Sequence, residues 1–476
     1  MAIVDFSKYI IYRWRYILGY SFVGLLLTGL LVFVGLYLPG GLSAEEISST
    51  VRSAALSFSD PATLAIANLP YYALQSLIFT IFGVSIFTIK LPSLILALLS
   101  AIGIILLLRR WFKPNIAVLA SLIAVTTGQF LFIAQHGAPG ILYVFWPIVL
   151  LLLGTQVTRG KKFRYLWKIL FAISAAMSLY TPLSIYPLVA ILLAIILHPH
   201  LRNTVRKLPK PRLVVASLLF LALLAPLTYG IIITPQLGLT LLGVPTIWPP
   251  DLGTNTIIVL KQYFLFWEPG TTALMTPVFG LGSAILIALG LYRIIRTRET
   301  TRSYLIIIWI VCLIPVLILN PAFTSVTFIP SLLMLAAGLT SLIGYWYRLF
   351  PLNPYARIAG LIPIVILVFA LSVSGLARYV YGYHYSATQA SLFSKDLAIV
   401  PKDTKELVVS DTERDFYQAV AQYRKGVSIV SSPKSESFVV TREARKSFEG
   451  FEIVRIITNG HTNESDRLYI YKKTAM

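Results

Sequence analysis

Long apolar runs separated by short polar loops dominate most of the chain. They fall at 17–38, 91–108, 114–134, 139–157, 167–183, 184–198, 213–233, 276–292, 303–320, 325–345 and 358–377. At ~1.5 Å per helical residue, each run crosses or nearly crosses a ~30 Å hydrocarbon layer. The pattern predicts an α-helical polytopic membrane protein with about eleven transmembrane helices. The stretch 69–90, LPYYALQSLIFTIFGVSIFTIK, is also apolar. Counting it as a span would put Arg109 and Arg110 on the wrong side, so it is expected to be a helix in the membrane interface. The first run is too long for a secretory signal. It is followed by Pro39, Gly40, Gly41 and Leu42 with no small-x-small site, so it reads as a retained span.

From about residue 379 the pattern changes. Basic and acidic residues come near balance and the apolar segments become short and alternating. ELVVS and VSIVS flank ERDFYQAVAQYRK, a strand, helix, strand order, and SFVVT, FEIVRIIT and RLYIYKK read as further strands. The expected organisation is a membrane region over 1–378, with an outer loop at 39–90 carrying juxtamembrane helices, and an extracytoplasmic α/β domain over 379–476.

Composition agrees with the membrane class: 57% of residues are hydrophobic and 12% charged, with a mean hydropathy of +0.79. The formal charge of +21 would suit nucleic acid, but the Lys and Arg residues cluster in alternate short loops. Lys8, Arg13 and Arg15; Arg109, Arg110 and Lys113; Arg159, Lys161, Lys162 and Arg164; Arg202, Arg206, Lys207 and Lys210; Arg293, Arg296, Arg298 and Arg302; and Arg348 and Arg357 lie on one side. Before residue 378 the other side has only Arg52, Lys90 and Lys261. The positive-inside rule then places the amino terminus and basic loops in the cytoplasm and the carboxyl-terminal domain outside a plasma membrane. No nucleic-acid partner is expected. Cys312 is the only cysteine and lies in a span, which leaves the outer domain without a disulfide.

The outer stretch GGLSAEEISSTVRSAALS, 40–57, carries adjacent glutamates. Ser43 and Glu46 have capping-box spacing and predict a helix start. Ile47, Val51, Ala54 and Phe58 would form an apolar stripe lying along the membrane, with Glu45, Ser49 and Arg52 on the polar face. Capping employs Glu46 and leaves Glu45 facing an outer cavity. On that reading Glu46→Gln, which can still complete the box, should cost little.

These residues carry a resemblance. The order SAEEISSTVRSAA, then NLPYYALQSLIFTIFGVS, then IKLPSLILALLSAIGIILLLRRWF resembles the GT-C class of membrane glycosyltransferases, such as protein O-mannosyltransferases and aminoarabinose transferases. LFIAQHGAPGILYVFWPIVLLLLG and FIPSLLMLAAGL extend the likeness more loosely. The family's acidic pair usually opens with Asp, where this chain has Glu45. Many members begin the fourth span with a second acid, where this chain has QHGAPG, and carry Arg or His where it has NPAFTSVTFIP.

The resemblance implies a transferase that moves a sugar from a polyprenyl-phosphate donor to an acceptor hydroxyl on the outer face, with inversion and without a cofactor. The acceptor would be a glycan, lipid or protein, and membrane lipids would surround the chain. A carboxylate can take the proton of the attacking hydroxyl, and cations can receive the charge of the departing phosphate. Glu45 and Glu46 are the candidate catalytic residues, and Arg52, Lys261 and His136 the candidate phosphate ligands, with Tyr263 and Trp267 beside Lys261. Lys90 is expected to snorkel to water. The outer acids Glu45, Glu46, Asp60, Asp251 and Glu268 are dispersed, so no metal site is expected. Asn463, Glu464 and Ser465 fit a glycosylation acceptor pattern. Two other classes fit the chain less well. One is a lipid or sugar transporter, disfavoured because the spans are expected to lack buried charge; the other is a non-catalytic scaffold.

Overall fold

A helix meets each of the apolar runs. The computed structural model describes residues 10–36, 41–159, 163–207, 210–245, 247–266, 277–349, 354–384, 392–393, 395–401, 403–424, 426–433, 435–458 and 466–474. Expectations for Lys8, Lys161, Lys162, Trp267, Glu268 and the 463–465 triplet lie outside those residues. Among the described residues six helices are long and apolar enough to cross a membrane, or eight if each bent pair counts as one span. One bent pair, Pro114–Thr126 with Gly128–Gln135, turns by 59°. Thr127 accounts for the break, because its hydroxyl caps the second helix at Phe130 N while bonding back to the Ala124 carbonyl.

The 69–90 stretch divides. Leu69–Phe82 is a helix of its own, and the next helix, Ile86–Trp111, already includes its last residues. Gly83 separates them at φ +73 and ψ −177, a conformation open to glycine alone. Ser85 and Thr88 then form a reciprocal cap that starts the long helix. The short helix buries Tyr71, Tyr72, Gln75 and Phe79 and exposes Leu77, Ile81 and Phe82.

All five strands read from the sequence are present: β1 (Glu406–Val408), β2 (Ser428–Val430), β3 (Ser437–Thr441), β4 (Phe451–Thr458) and β5 (Arg467–Lys473). They form one sheet in the order β2-β1-β3-β5-β4. β1 runs parallel to β2 and β3, and the helix Arg414–Tyr423 supplies the crossover between β1 and β2. β5 joins β3 and β4 antiparallel, with an irregularity between Ile453 and Arg455.

One apolar core joins this sheet to the outer loop. Leu42, Phe79 and Ile89 pack with Phe416, Tyr417, Val420 and Leu468, and Ile47 and Val51 lean on the same cluster. The stripe of the 44–54 helix therefore faces the sheet domain rather than the membrane. Its last member departs further, since the helix ends at Ala54 and Phe58 is exposed.

Candidate active site

The acidic pair opens the helix Ala44–Ala54. Ser43 accepts from Glu46 N at 3.2 Å, and Glu46 Oε2 accepts from Ser43 N at 2.8 Å, which completes the capping box. Both carboxylates sit at the positive end of the helix dipole.

Their surroundings differ. Glu46 has no exposure, and its second oxygen receives Gly137 N–H at 2.7 Å and lies 3.3 Å from Lys90 Nζ. Lys90 is equally buried, donates to Gln135 Oε1 at 3.3 Å, and sits 5.4 Å from the Phe393 ring centroid. This corrects the snorkelling expected of Lys90. It also corrects the small cost expected of Glu46→Gln, because glutamine would leave a buried ammonium without its counter-charge. Gly137 is required for the approach: a Cβ there would meet the Ile89 carbonyl at 2.9 Å and Glu46 Oε1 at 3.2 Å.

Glu45 is 64% exposed, and its Oε2 lies 3.9 Å from His136 Nδ1. The other ring nitrogen of His136 shares a hydrogen with Ser43 Oγ at 2.9 Å. His136 caps the end of the helix Gly128–Gln135, so the bent helix pair delivers it to the acidic pair. Its ring stacks on Phe132 and meets Phe393 edge-on. Its carbonyl accepts from Ser93, which is itself bonded to Tyr71 OH. Ser49 and Ser53 both donate to Gln75 Oε1, and Gln75 Nε2 donates to the Ile89 carbonyl. Two hydrogen-bonded groups thus tie down the 44–54 helix, one running from Ser43 through His136 to Ser93 and Tyr71 and the other gathered on Gln75.

Arg52, two turns further along the helix, is exposed and donates to Tyr72 OH at 3.4 Å. Burial pushes the Tyr72 phenol up, while the neighbouring guanidinium opposes the shift. Lys261 is exposed on the helix Leu252–Phe264, and its side chain makes no hydrogen bond or ion pair among the described residues. Its helix is tied to a neighbouring turn. Tyr263 and Gln262 bond Thr324 and Thr327 in the turn Pro321–Thr327, whose Phe323 packs edge-on against Tyr143. The structure therefore brings Glu45, Glu46 and His136 together, sets Arg52 beside Tyr72, and keeps Lys261 on a separate helix.

Two residues that sequence reading passed over line the site. The signal for Lys90 was available, since it is one of few cations outside the basic loops and lies in the first turns of a long apolar helix. Phe393 had none, because its contact depends on the fold of a distant segment. It follows the membrane helices in sequence and lies next to Lys395, whose carbonyl accepts from Leu42 N at 2.6 Å.

Among the described residues no three His, Cys, Asp or Glu side chains gather in a metal-binding group. The site joins an exposed carboxylate facing a histidine to a buried ion pair, with an arginine–tyrosine couple two turns along the same helix.

The sequence model of the family described as dolichyl-phosphate-mannose-protein mannosyltransferase matches residues 69–229, a segment that includes Lys90 and His136 and begins after the acidic pair. Curated protein sequences give no match. Among solved structures, ArnT from Cupriavidus metallidurans bound to undecaprenyl phosphate is 12% identical with a TM-score of 0.54, over 95% of this chain and 98% of that one. The Archaeoglobus fulgidus oligosaccharyltransferase tethered to an acceptor peptide containing the NVT sequon is 14% identical with a TM-score of 0.51, over 87% of this chain. The match spans 64% of that longer protein. The archaeal AglB in complex with an inhibitory peptide and a dolichol-phosphate gives 13% and 0.50. The chain is an integral membrane protein with the GT-C fold.

Proposed function

We propose that the protein is a glycosyltransferase that moves a sugar from a polyprenyl-phosphate donor to an acceptor hydroxyl at the outer face of the membrane. The observation that carries the reading is the division of labour in the acidic pair. Glu46 is consumed by the cap, Gly137 N–H and Lys90, whereas Glu45 stands exposed at the helix start with His136 behind it. The likeness to structures whose ligands are undecaprenyl phosphate and a dolichol-phosphate supports the donor class.

The acceptor hydroxyl attacks the anomeric carbon while Glu45 takes its proton. The bond from that carbon to the phosphate oxygen breaks, and the electron pair leaves with the lipid phosphate. One displacement inverts the sugar carbon. The leaving phosphate needs no proton, but it needs positive charge. Arg52, steadied by Tyr72, supplies it, and Lys261 is a second candidate on its own helix. His136 faces the Glu45 carboxylate with Nδ1 at 3.9 Å, while Ser43 fixes the ring through Nε2. The same reading puts the amino terminus in the cytoplasm of a plasma-membrane protein, and the 379–476 domain outside, beside the acceptor.

The test is incubation of purified protein in detergent with radiolabelled polyprenyl-phosphate sugars. Consumption of one donor and its loss in the Glu45→Gln variant are expected. A folded wild-type protein that consumes none of a broad donor panel would overturn the assignment.

A further inference from the structure

At the end of the bundle remote from Glu45, where Arg302 donates to the Trp111 carbonyl, an open-sided cavity of about 570 Å³ lies among the helices Leu142–Arg159, Arg164–Ser178, Ile185–Leu197, Pro199–Arg206 and Lys210–Ile233, with Trp111 and the start of Thr301–Leu319 at its edge. Its volume lies within the ~300–1,000 Å³ usual for small-molecule sites. The walls are apolar, with Phe171, Ile191 and Phe220 among them, and the polar lining includes Lys168, His200 and Arg302 and, among the described residues, no carboxylate.

Three features bear on its occupant. Lys168 is 5% exposed in a segment read as a span, which corrects the expectation that the spans lack buried charge. An ionisable group at such a place marks a ligand or ion site by default. Arg302 is held by that carbonyl and lies 5.0 Å from the Phe112 ring centroid, so its guanidinium is fixed beside the cavity. Helix Pro199–Arg206 bends 93° from the span before it, buries none of its residues, and carries His200, Arg202 and Arg206. This is the form of a basic interfacial helix, which attracts anionic lipid.

We propose that this cavity binds an anionic phospholipid of the leaflet facing the basic loops, with an acyl chain against the apolar walls and the head-group phosphate toward Lys168, Arg302 and His200. Each half of the site selects against another occupant. A free phosphate leaves the apolar walls unused, and a zwitterionic head group brings its own cation toward three basic side chains. The site is separate from the acidic pair and does not rest on the transferase reading.

The test uses full-length protein in detergent, native mass spectrometry, and phosphatidylglycerol and phosphatidylcholine of identical chains as probes. One phosphatidylglycerol per protein is expected to persist where phosphatidylcholine is lost. Lys168→Gln and Arg302→Gln should each weaken its retention about tenfold. Ala175→Phe, which fills the cavity, should abolish it. Thermal melting identifies any variant that fails to fold, and the two charge variants carry the test if the filled one does. Equal retention of both lipids would overturn the proposal. So would unchanged retention in folded Lys168→Gln and Arg302→Gln, or displacement of the lipid by millimolar inorganic phosphate.

Discussion

Glu46 Oε1 and Lys90 Nζ face each other at 3.3 Å with both side chains sealed from solvent. Removing one member of such a pair strands the other as a buried charge, at a cost of about 3–5 kcal/mol, whereas replacing both can be neutral. Glu46→Gln and Lys90→Met should therefore each lower the melting temperature of the detergent-solubilised protein sharply. The double variant should recover most of the loss. A double-mutant cycle on thermal stability reads the coupling directly, and additive losses would show that the pair does not act as a unit.

Glu45 lies one residue away and should behave in the opposite manner. Glu45→Gln leaves the cap and the buried pair untouched, so folding is preserved. Turnover should fall by about 10² to 10⁴ as proton acceptance is lost, with donor affinity little changed. Glu45→Asp should keep part of the activity, because the base survives with its carboxylate drawn back. Turnover that survives Glu45→Gln would remove the general base from the proposal.

The contrast between the two glutamates also marks where sequence reading stops. The capping box was legible, because it depends on residues three apart, and so were all five strands and the crossover helix, whose periodicities are local. The partners of Glu46 were not. Gly137, Lys90 and Phe393 arrive from separate segments, and only a bent span and a folded sheet domain bring them within contact. Apolar positions three and four apart on the 44–54 helix showed that one face is buried. They could not say whether lipid or protein covers it, since both are apolar, and the sheet domain proved to be the cover.

Phe393 gives that cover a consequence. Its ring lies against both Lys90 and His136, so the sheet domain's leading segment braces the two groups behind the glutamates. Phe393→Ala should cost about 3–5 kcal/mol of stability, as deletion of a buried aromatic side chain does. It should also lower turnover, and Phe393→Leu should restore more stability than activity. Equal recovery of both would reduce Phe393 to packing alone.

Arg52 and Tyr72 offer a test of the phosphate end of the site. Arg52→Ala and Lys261→Ala should each lower kcat/KM, by about tenfold for every ~1.4 kcal/mol of lost transition-state contact. Tyr72→Phe should move kcat/KM the same way by less, since it frees Arg52 without removing its charge. Burial raises the Tyr72 phenol above its ordinary value near 10, so it stays protonated through the neutral range. The wild-type pH profile should then show no decline from Tyr72 ionisation below about pH 10. A limb there that vanishes in Tyr72→Phe would mean that the phenol ionises more easily than its burial implies.

Topology can be tested on the sheet itself. Val454 in β4 is 60% exposed, and the single native thiol, Cys312, sits within the helix Thr301–Leu319. In a Cys312→Ala background, Val454→Cys should react with an impermeant maleimide in intact cells, or after permeabilisation of an outer membrane where one is present. Glu299→Cys, in the basic loop before that helix, should react only after lysis. The charge bias of the loops demands this asymmetry, because Lys and Arg resist translocation and gather on the cytoplasmic side. Labelling of both positions before lysis would point to leaky cells. Protection of Val454→Cys in correctly inserted protein would place the sheet on the cytoplasmic side, and with it the acidic pair that packs beneath the sheet, which no outward-facing transferase could tolerate.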